Sequence, residues 1–110
     1  MSKSNLSRAA IYARRASVLQ GDTTQPEQVS HCLQHAQGMV WNVTATFIDD
    51  GVSCRSPNRS EFQKLCTAVR SGTIDIVLTQ DWDRISRRHD DLFDFLSLCD
   101  RHAVILETLP

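Results

Sequence analysis

Short β-type runs alternate with longer segments of helical periodicity, and this alternation is the feature that most constrains the fold. Four runs are short, apolar and rich in β-branched or aromatic residues, and we expect strands at residues 9–13, 39–48, 74–79 and 103–109. The first run, Ala9-Ala10-Ile11-Tyr12-Ala13, has no polar position apart from the tyrosine hydroxyl. Such a run is typical of a strand that is buried on both faces of a sheet.

Three segments between these runs repeat apolar residues at the i, i+3, i+4, i+7 spacing of an amphipathic helix. The first segment begins at Pro26 and ends near Gly38, the second is stopped at Gly72, and the third closes near His102. Residues 81–88 are polar and are expected to form a loop. This order predicts an α/β fold in three layers, with a mainly parallel four-stranded sheet flanked by helices.

The length leaves room for one domain, and we expect residues 1–110 to form it. The start of the chain is polar and no apolar run is long enough to span a bilayer, so we predict no signal peptide, no membrane helix and a cytoplasmic location.

The four cysteines show no C-x-x-C spacing and are interpreted as reduced, mostly buried residues. His31 and His35 have the i, i+4 spacing of metal ligands without the further ligands, so an exposed polar face is expected. Neither a metal nor a cofactor is predicted.

Arginines follow three of the four predicted strands. Of the twelve basic residues two are lysines, Lys3 and Lys64, which leaves ten arginines in a chain of net charge −1. Seven of them lie in the loops that leave the strands, namely Arg14, Arg15, Arg55, Arg59, Arg84, Arg87 and Arg88. The carboxyl ends of parallel strands meet at one edge of a sheet, and guanidinium groups gathered there repel one another unless carboxylates or an anion compensate them. A bound phosphate is predicted, and ordinary pairing with surface aspartates is the alternative.

Ser17 is the hydroxyl nearest in sequence to Arg14 and Arg15. A serine is a weak nucleophile at neutral pH, and cations make it effective by stabilising its alkoxide and the charge that develops on phosphoryl oxygens. Ser17 is therefore the candidate nucleophile of a phosphoryl-transfer site. Asp83, beside Arg84, either orients a guanidinium group or carries a proton to the leaving oxygen.

Several short motifs resemble, in order and spacing, the N-terminal catalytic domain of serine recombinases, the family of resolvases, invertases and large serine integrases. They are Tyr12-Ala13-Arg14-Arg15-Ala16-Ser17, Gln28, Asp50-Gly51-Val52-Ser53, Asn58-Arg59 and Asp83-Arg84-Ile85-Ser86-Arg87. The resemblance covers nearly the whole chain. It implies a site-specific recombinase in which a serine attacks a DNA phosphodiester, forms a 5′-phosphoserine linkage, releases a 3′-hydroxyl and later rejoins an exchanged end.

The same resemblance implies roles for individual residues. Arg14, Arg59, Arg84 and Arg87 would bind the phosphate and stabilise the transition state, with Asp83 and Gln28 in support. Further contacts to DNA phosphates, or further support for the site, are expected from Arg15, Arg55, Arg88 and Ser53.

Ala16 stands where the family usually has its nucleophile. Either the loop carries one extra residue and Ser17 is the nucleophile, or the position has been lost and the domain is an inactive module that binds phosphate or the DNA backbone. Ser17 is the preferred interpretation because loops at strand ends absorb a one-residue shift. A receiver-like signalling domain, suggested by Asp49 and Asp50, is disfavoured because that pattern needs a lysine after a later strand and none follows Lys64.

DNA is the predicted partner. Family members continue into a long helix that forms the dimer and into a separate DNA-binding domain, and we expect this chain of 110 residues to lack both. The full-length protein is expected to form a homodimer or tetramer, and the chain alone to be monomeric or weakly associated. The near-zero net charge agrees with DNA affinity that resides elsewhere.

Overall fold

A parallel sheet organises the part of the chain that the structure, a computed structural model, describes: residues 7–14, 24–49, 60–86 and 88–110. The strands are β1 (Arg8–Arg14), β2 (Asn42–Asp49), β3 (Ile76–Thr79) and β4 (Ile105–Thr108), in the order β2-β1-β3-β4. All neighbouring strands run parallel. The helices in these ranges are α1 (Gln25–Met39), α2 (Ser60–Ser71), α3 (Trp82–Ile85) and α4 (His89–Arg101). The predicted α/β class, with a parallel four-stranded sheet, is confirmed.

Strand β1 is the buried centre of the molecule, as its apolar sequence predicted. Its residues from Ala9 to Ala13 are fully buried, and successive side chains face two different cores. Tyr12 belongs to the larger core, which α2 and α4 cover, whereas Ile11 belongs to the smaller core under α1. Helices therefore cover both faces of the sheet and give the expected three layers.

A register shift in β2 changes which core its side chains enter. Ala9 pairs with Val43, but the next residue, Ala10, pairs with Ala45, so Thr44 is an extra residue in β2. An extra residue reverses the alternation of side chains between the two faces. Val43 accordingly packs against the core under α1, and Ala45 packs against the core under α2 and α4.

Several predicted boundaries were wrong, since the strands expected from residues 39, 74 and 103 begin at Asn42, Ile76 and Ile105. Residues 81–88 are not all loop, because Trp82–Ile85 form one helical turn whose buried residues are Arg84 and Ile85. The polar composition concealed this turn because one of its two buried side chains is an arginine. Helix α1 continues through Gly38 to Met39, so β2 begins only at Asn42.

Three of the four cysteines, Cys32, Cys66 and Cys99, are buried free thiols, as predicted. Burial raises the pKa of Cys32 and of Cys99 to about 12. Cys54 lies outside the described residues. None of the helices in the described ranges is long and apolar enough to cross a membrane.

The predicted polar face of α1 is exposed at His31 but not at His35. The His35 ring is half-buried and lies edge-to-face against Trp41, with ring centroids 5.6 Å apart. The imidazole ring of His35 thus packs on the Trp41 ring through its apolar carbon atoms.

Candidate active site

At the carboxyl ends of β1 and β3, the chain turns toward opposite faces of the sheet. From β1 the chain passes into α1 on one face of the sheet, and from β3 it passes into α3 and then α4, which lies on the other face. Such a switch point is where open α/β sheets bind ligands. Arg14 ends β1 at this edge, and Thr79 ends β3 beside it, donating its hydroxyl to the Tyr12 carbonyl at 2.9 Å.

The Arg14 side chain binds the end of α3. It is 8% exposed, its Nε donates to the Arg84 carbonyl at 3.0 Å, and its Nη2 donates to the Asp83 carbonyl at 2.9 Å. The last carbonyls of a helix have no partner within the helix, and a cation interacts favourably with them. Arg14 therefore joins the end of β1 to the turn that follows β3.

The Arg84 side chain in turn donates to the backbone of Arg14. It is 5% exposed, and its Nη1 donates to the Arg14 carbonyl at 3.2 Å. Its Nε lies 3.5 Å from the Asp81 carboxylate at the start of α3. The two arginines repel each other by charge, so the backbone carbonyls and Asp81 supply the compensation that brings them together.

Gln28 completes the support of Arg14 from the α1 side. It is fully buried, its Oε1 accepts from the Arg14 backbone N–H at 3.1 Å, and its Nε2 donates to the Arg14 carbonyl at 3.1 Å. The side-chain amide thus pairs with the last residue of β1 as a neighbouring strand would. Gln28 lies in the first turn of α1, where Thr24 and Glu27 form a capping box that fixes the start of the helix.

A second buried group lies at the end of β2. Asp49 is 4% exposed and accepts three hydrogen bonds: from Tyr12 Oη at 2.7 Å, from the Glu61 N–H at 3.0 Å and from the Phe62 N–H at 3.1 Å. The two amides belong to the first turn of α2, so Asp49 caps that helix from a strand. Its backbone carbonyl also accepts from Gln25 Nε2 at 3.3 Å.

The structure brings together three of the predicted site residues: Arg14, Gln28 and Arg84. Asp83 takes part through its backbone carbonyl, and its side chain is exposed. Arg88 does not join them, because its side chain is 78% exposed and its Nε lies 3.6 Å from the Asp91 carboxylate. The other predicted residues lie outside the described ranges, and they are Arg15, Ser17, Ser53, Arg55, Arg59 and Arg87.

Sequence reasoning missed the parts played by Asp49 and Asp81. Asp49 caps a helix that begins eleven positions later, so no local capping motif marks it; the available signal is an aspartate at the end of a strand. Asp81 belongs to none of the motifs described above. It precedes α3 and forms an ion pair with Arg84.

The described part of the site fixes two buried positive charges, those of Arg14 and Arg84, at the carboxyl ends of β1 and β3. Within it, no group of three or more histidine, cysteine, aspartate or glutamate side chains is arranged to hold a metal ion. Arginines fixed by backbone groups stabilise charge that develops on a phosphoryl group without moving during the reaction.

A family model matches most of this chain. It describes the resolvase N-terminal domain and covers residues 9–110. No match was found among curated proteins.

Solved structures of similar fold include the N-terminal catalytic domain of TP901-1 integrase, at 26% identity and a TM-score of 0.78, over 93% of this chain and 76% of that one. The C-terminal catalytic domain of ISC1926 TnpA, an IS607-like serine recombinase, matches at 24% identity and a TM-score of 0.79, over 94% and 70% of the two chains. A resolvase family site-specific recombinase from Streptococcus pneumoniae matches at 22% identity and a TM-score of 0.78, over 92% and 70%.

Proposed function

This chain belongs to the resolvase family, and from that premise we propose that it carries out the serine chemistry of site-specific DNA recombination. Ser17 is the proposed nucleophile. A bond forms between Ser17 Oγ and the phosphorus of a DNA phosphodiester, and the bond from phosphorus to the 3′-oxygen breaks. The serine proton passes to solvent or to a base, and the 3′-oxygen takes up a proton from solvent or from an acid and leaves as a hydroxyl. The reverse step rejoins an exchanged end.

The observation that carries this proposal is the buried contact of Arg14 with Arg84 and Gln28 at the carboxyl ends of β1 and β3. Burial and backbone hydrogen bonds fix two positive charges at this edge of the sheet, and Ser17 follows Arg14 by three residues. Preorganised donors of this kind lower the barrier to phosphoryl transfer, and the loss of one typically costs on the order of 10²–10³ in rate.

The remaining roles in the proposal come from the family motifs. Arg59 and Arg87 would contact the phosphate together with Arg14 and Arg84. Asp83 would orient a guanidinium group or carry a proton. Supporting contacts to DNA phosphates are proposed for Arg15, Arg55, Arg88 and Ser53.

The proposal also extends to the organisation of the protein. Residues 1–110 are proposed to form one catalytic domain, with DNA as its partner. Assembly of the whole protein into a homodimer or tetramer is part of the same proposal.

The first chemical step can be tested without knowledge of the DNA target. Thymidine 5′-(4-nitrophenyl phosphate) presents the 5′-phosphoryl group with 4-nitrophenolate in place of the 3′-oxygen. Attack by Ser17 would form a serine–phosphorus bond and release one 4-nitrophenolate for each thymidine 5′-phosphoryl group attached. The reaction is run in buffer containing EDTA, because the arginines are proposed to supply the charge stabilisation.

Mass spectrometry of the digested protein is expected to place the adduct on Ser17, with none in Ser17→Ala. An adduct that is absent from the unmodified chain, or equally abundant in Ser17→Ala, would overturn the proposed nucleophile. Binding of duplex DNA in the absence of any adduct would mark the chain as a binding module instead.

A further inference from the structure

Asp81 stands where an aspartate usually caps a helix, but its side chain does not cap α3. It directly precedes Trp82, the first residue of α3, and its carbonyl accepts from the Arg84 N–H at 3.1 Å. An aspartate in this position typically also accepts, through its side chain, from a backbone N–H two or three residues later. Within α3, all of which the structure describes, the Asp81 side chain accepts no such hydrogen bond. Its carboxylate therefore serves another group.

That group is the guanidinium of Arg84. Asp81 Oδ1 lies 3.5 Å from Arg84 Nε, and both atoms are buried although the Asp81 side chain as a whole is 45% exposed. A second nitrogen of the same group, Arg84 Nη1, donates to the Arg14 carbonyl at 3.2 Å. Because a guanidinium group is planar and rigid, contacts at two of its nitrogens fix both its position and the orientation of its plane.

Arg84 needs a negative charge at this point because a second guanidinium group is held beside it. The Arg14 side chain donates to the Arg84 and Asp83 carbonyls, so both arginine side chains lie at the same edge of the sheet. Two buried cations repel each other, and burial by itself disfavours the charged form of each. The Asp81 carboxylate offsets this cost at Arg84 and keeps its guanidinium group at the end of β1.

We propose that Asp81 is a positioning residue for Arg84 in the reaction, an inference that rests on the proposed function. It holds the guanidinium group in the orientation that meets the phosphate, and it does not itself bind the phosphate. Displacement of a reacting group by about 1 Å costs up to about 10²-fold in rate. The Asp81 charge also repels a phosphate bound at Arg84. Asp81 therefore raises the rate of the chemical step and weakens the binding of substrate.

The test compares Asp81→Asn with the unmodified chain. Single-turnover reaction with thymidine 5′-(4-nitrophenyl phosphate) gives a maximal rate of adduct formation and a half-saturating concentration, and urea unfolding gives the folded fraction. For Asp81→Asn, which removes the charge with little change in size, we expect a maximal rate per folded molecule lower by about tenfold. The half-saturating concentration is expected to be equal or lower, because the repulsion of the phosphate is removed as well. A merely structural role would lower the folded fraction and leave the rate per folded molecule unchanged.

Asp75→Asn is the matched control. It removes the same charge from another aspartate that pairs with an arginine, since Asp75 Oδ1 lies 3.1 Å from Arg8 Nη2. Arg8 begins β1, at the opposite end of the strand from Arg14. Because charges separated by more than a Debye length are largely screened, this variant is expected to keep the rate and the half-saturating concentration of the unmodified chain within about twofold. It therefore separates a general effect of charge or stability from the effect on Arg84.

The outcomes are distinct. A maximal rate for Asp81→Asn within about twofold of the unmodified chain, per folded molecule, would overturn the inference and leave the proposed function standing. A lower rate with a higher half-saturating concentration would also overturn it, because Asp81 would then support binding. If Asp81→Asn does not fold, Asp81→Ser, which is neutral and suits the start of a helix, decides by the same criteria. Absence of any adduct in the unmodified chain would overturn the proposed function, and the inference with it.

Discussion

Backbone groups hold several buried polar residues in the described part of this protein. Gln28 pairs with both the N–H and the carbonyl of Arg14, and Arg14 donates to two carbonyls of α3. Asp49 accepts from two backbone amides of α2. Replacing such a side chain leaves a buried backbone group without its partner, so the cost includes desolvation of that group.

Gln28→Leu is the clearest test at this scale. The substitution removes the acceptor of the buried Arg14 N–H, and we expect the free energy of unfolding to fall by about 1–3 kcal/mol. Urea unfolding measures the change. Gln34→Leu, at an exposed position of the same helix, is the control and is expected to stay within about 0.5 kcal/mol of the unmodified chain. Equal effects of the two variants would contradict the role assigned to Gln28.

The contact between Arg8 and Asp75 predicts a dependence of stability on pH. Hydrogen bonds from Arg8 lower the pKa of Asp75 below its usual value. The contribution of the pair is therefore complete above the unfolded pKa of about 3.9 and is lost as the pH falls through the lower, folded pKa. Both side chains are close to half exposed, so the effect is small. Urea midpoints measured between pH 5 and pH 2 should fall less steeply in Asp75→Asn, and parallel curves would contradict the prediction.

At the scale of elements, α1 ends in an unusual way. Val40 follows the helix with φ 60° and ψ 41°, a left-handed conformation that disfavours β-branched residues, and its N–H donates to the carbonyls of Ala36 and Gln37. Glycine is the common residue at such positions, and it stands in the corresponding place after α2, where Gly72 has φ 73°. The end of α1 therefore stores strain that α2 avoids.

Val40→Gly is expected to raise the free energy of unfolding by about 0.5–1 kcal/mol. The side chain is 63% exposed, so little apolar burial is lost while the strain is relieved. Gln37→Gly is the control, because Gln37 is exposed and lies inside the helix. This variant should lower the free energy of unfolding by about 1 kcal/mol. Thermal unfolding would show the two midpoints moving in opposite directions, and a lower midpoint for Val40→Gly would contradict this account.

Elements with a strong periodic pattern could be predicted from the sequence, and elements fixed by distant contacts could not. The apolar run of β1 and the spacing around Leu65 predicted a buried strand and a helix, and both are present. Helix α3 was missed because Arg84, one of its two buried side chains, is polar in sequence. That Arg14 and Arg84 lie close together could be predicted, because both follow strands that end at the same edge of the sheet. Their partners are backbone carbonyls, which carry no residue-specific signal.

At the scale of the whole molecule, β1 belongs to both cores at once. Ile11 faces the core under α1 that contains Cys32, and Tyr12 faces the core under α2 and α4 that contains Cys99. Separation of either helix layer would expose one side of the same central strand. The two layers are therefore expected to unfold together.

Two of the three buried thiols, one in each core, can report on this coupling. With a pKa of about 12, Cys32 and Cys99 are almost entirely protonated at pH 8, and labelling by iodoacetamide requires unfolding. We expect both to be labelled in one transition with the same dependence on urea, quantified for each cysteine by mass spectrometry. Labelling of Cys32 at a lower urea concentration than Cys99 would show that α1 detaches on its own.

The strand order also determines when β1 gains its neighbouring strands during translation. Strand β1 is synthesised before the other described strands, yet it lies between β2 and β3, and β3 begins only at Ile76. During translation, one edge of the central strand has no partner until Thr79 has emerged, and the unpaired edge of an apolar strand invites pairing with other chains. Slow translation between β2 and β3 should therefore increase aggregation of nascent chains, whereas a pause after β4 should be harmless.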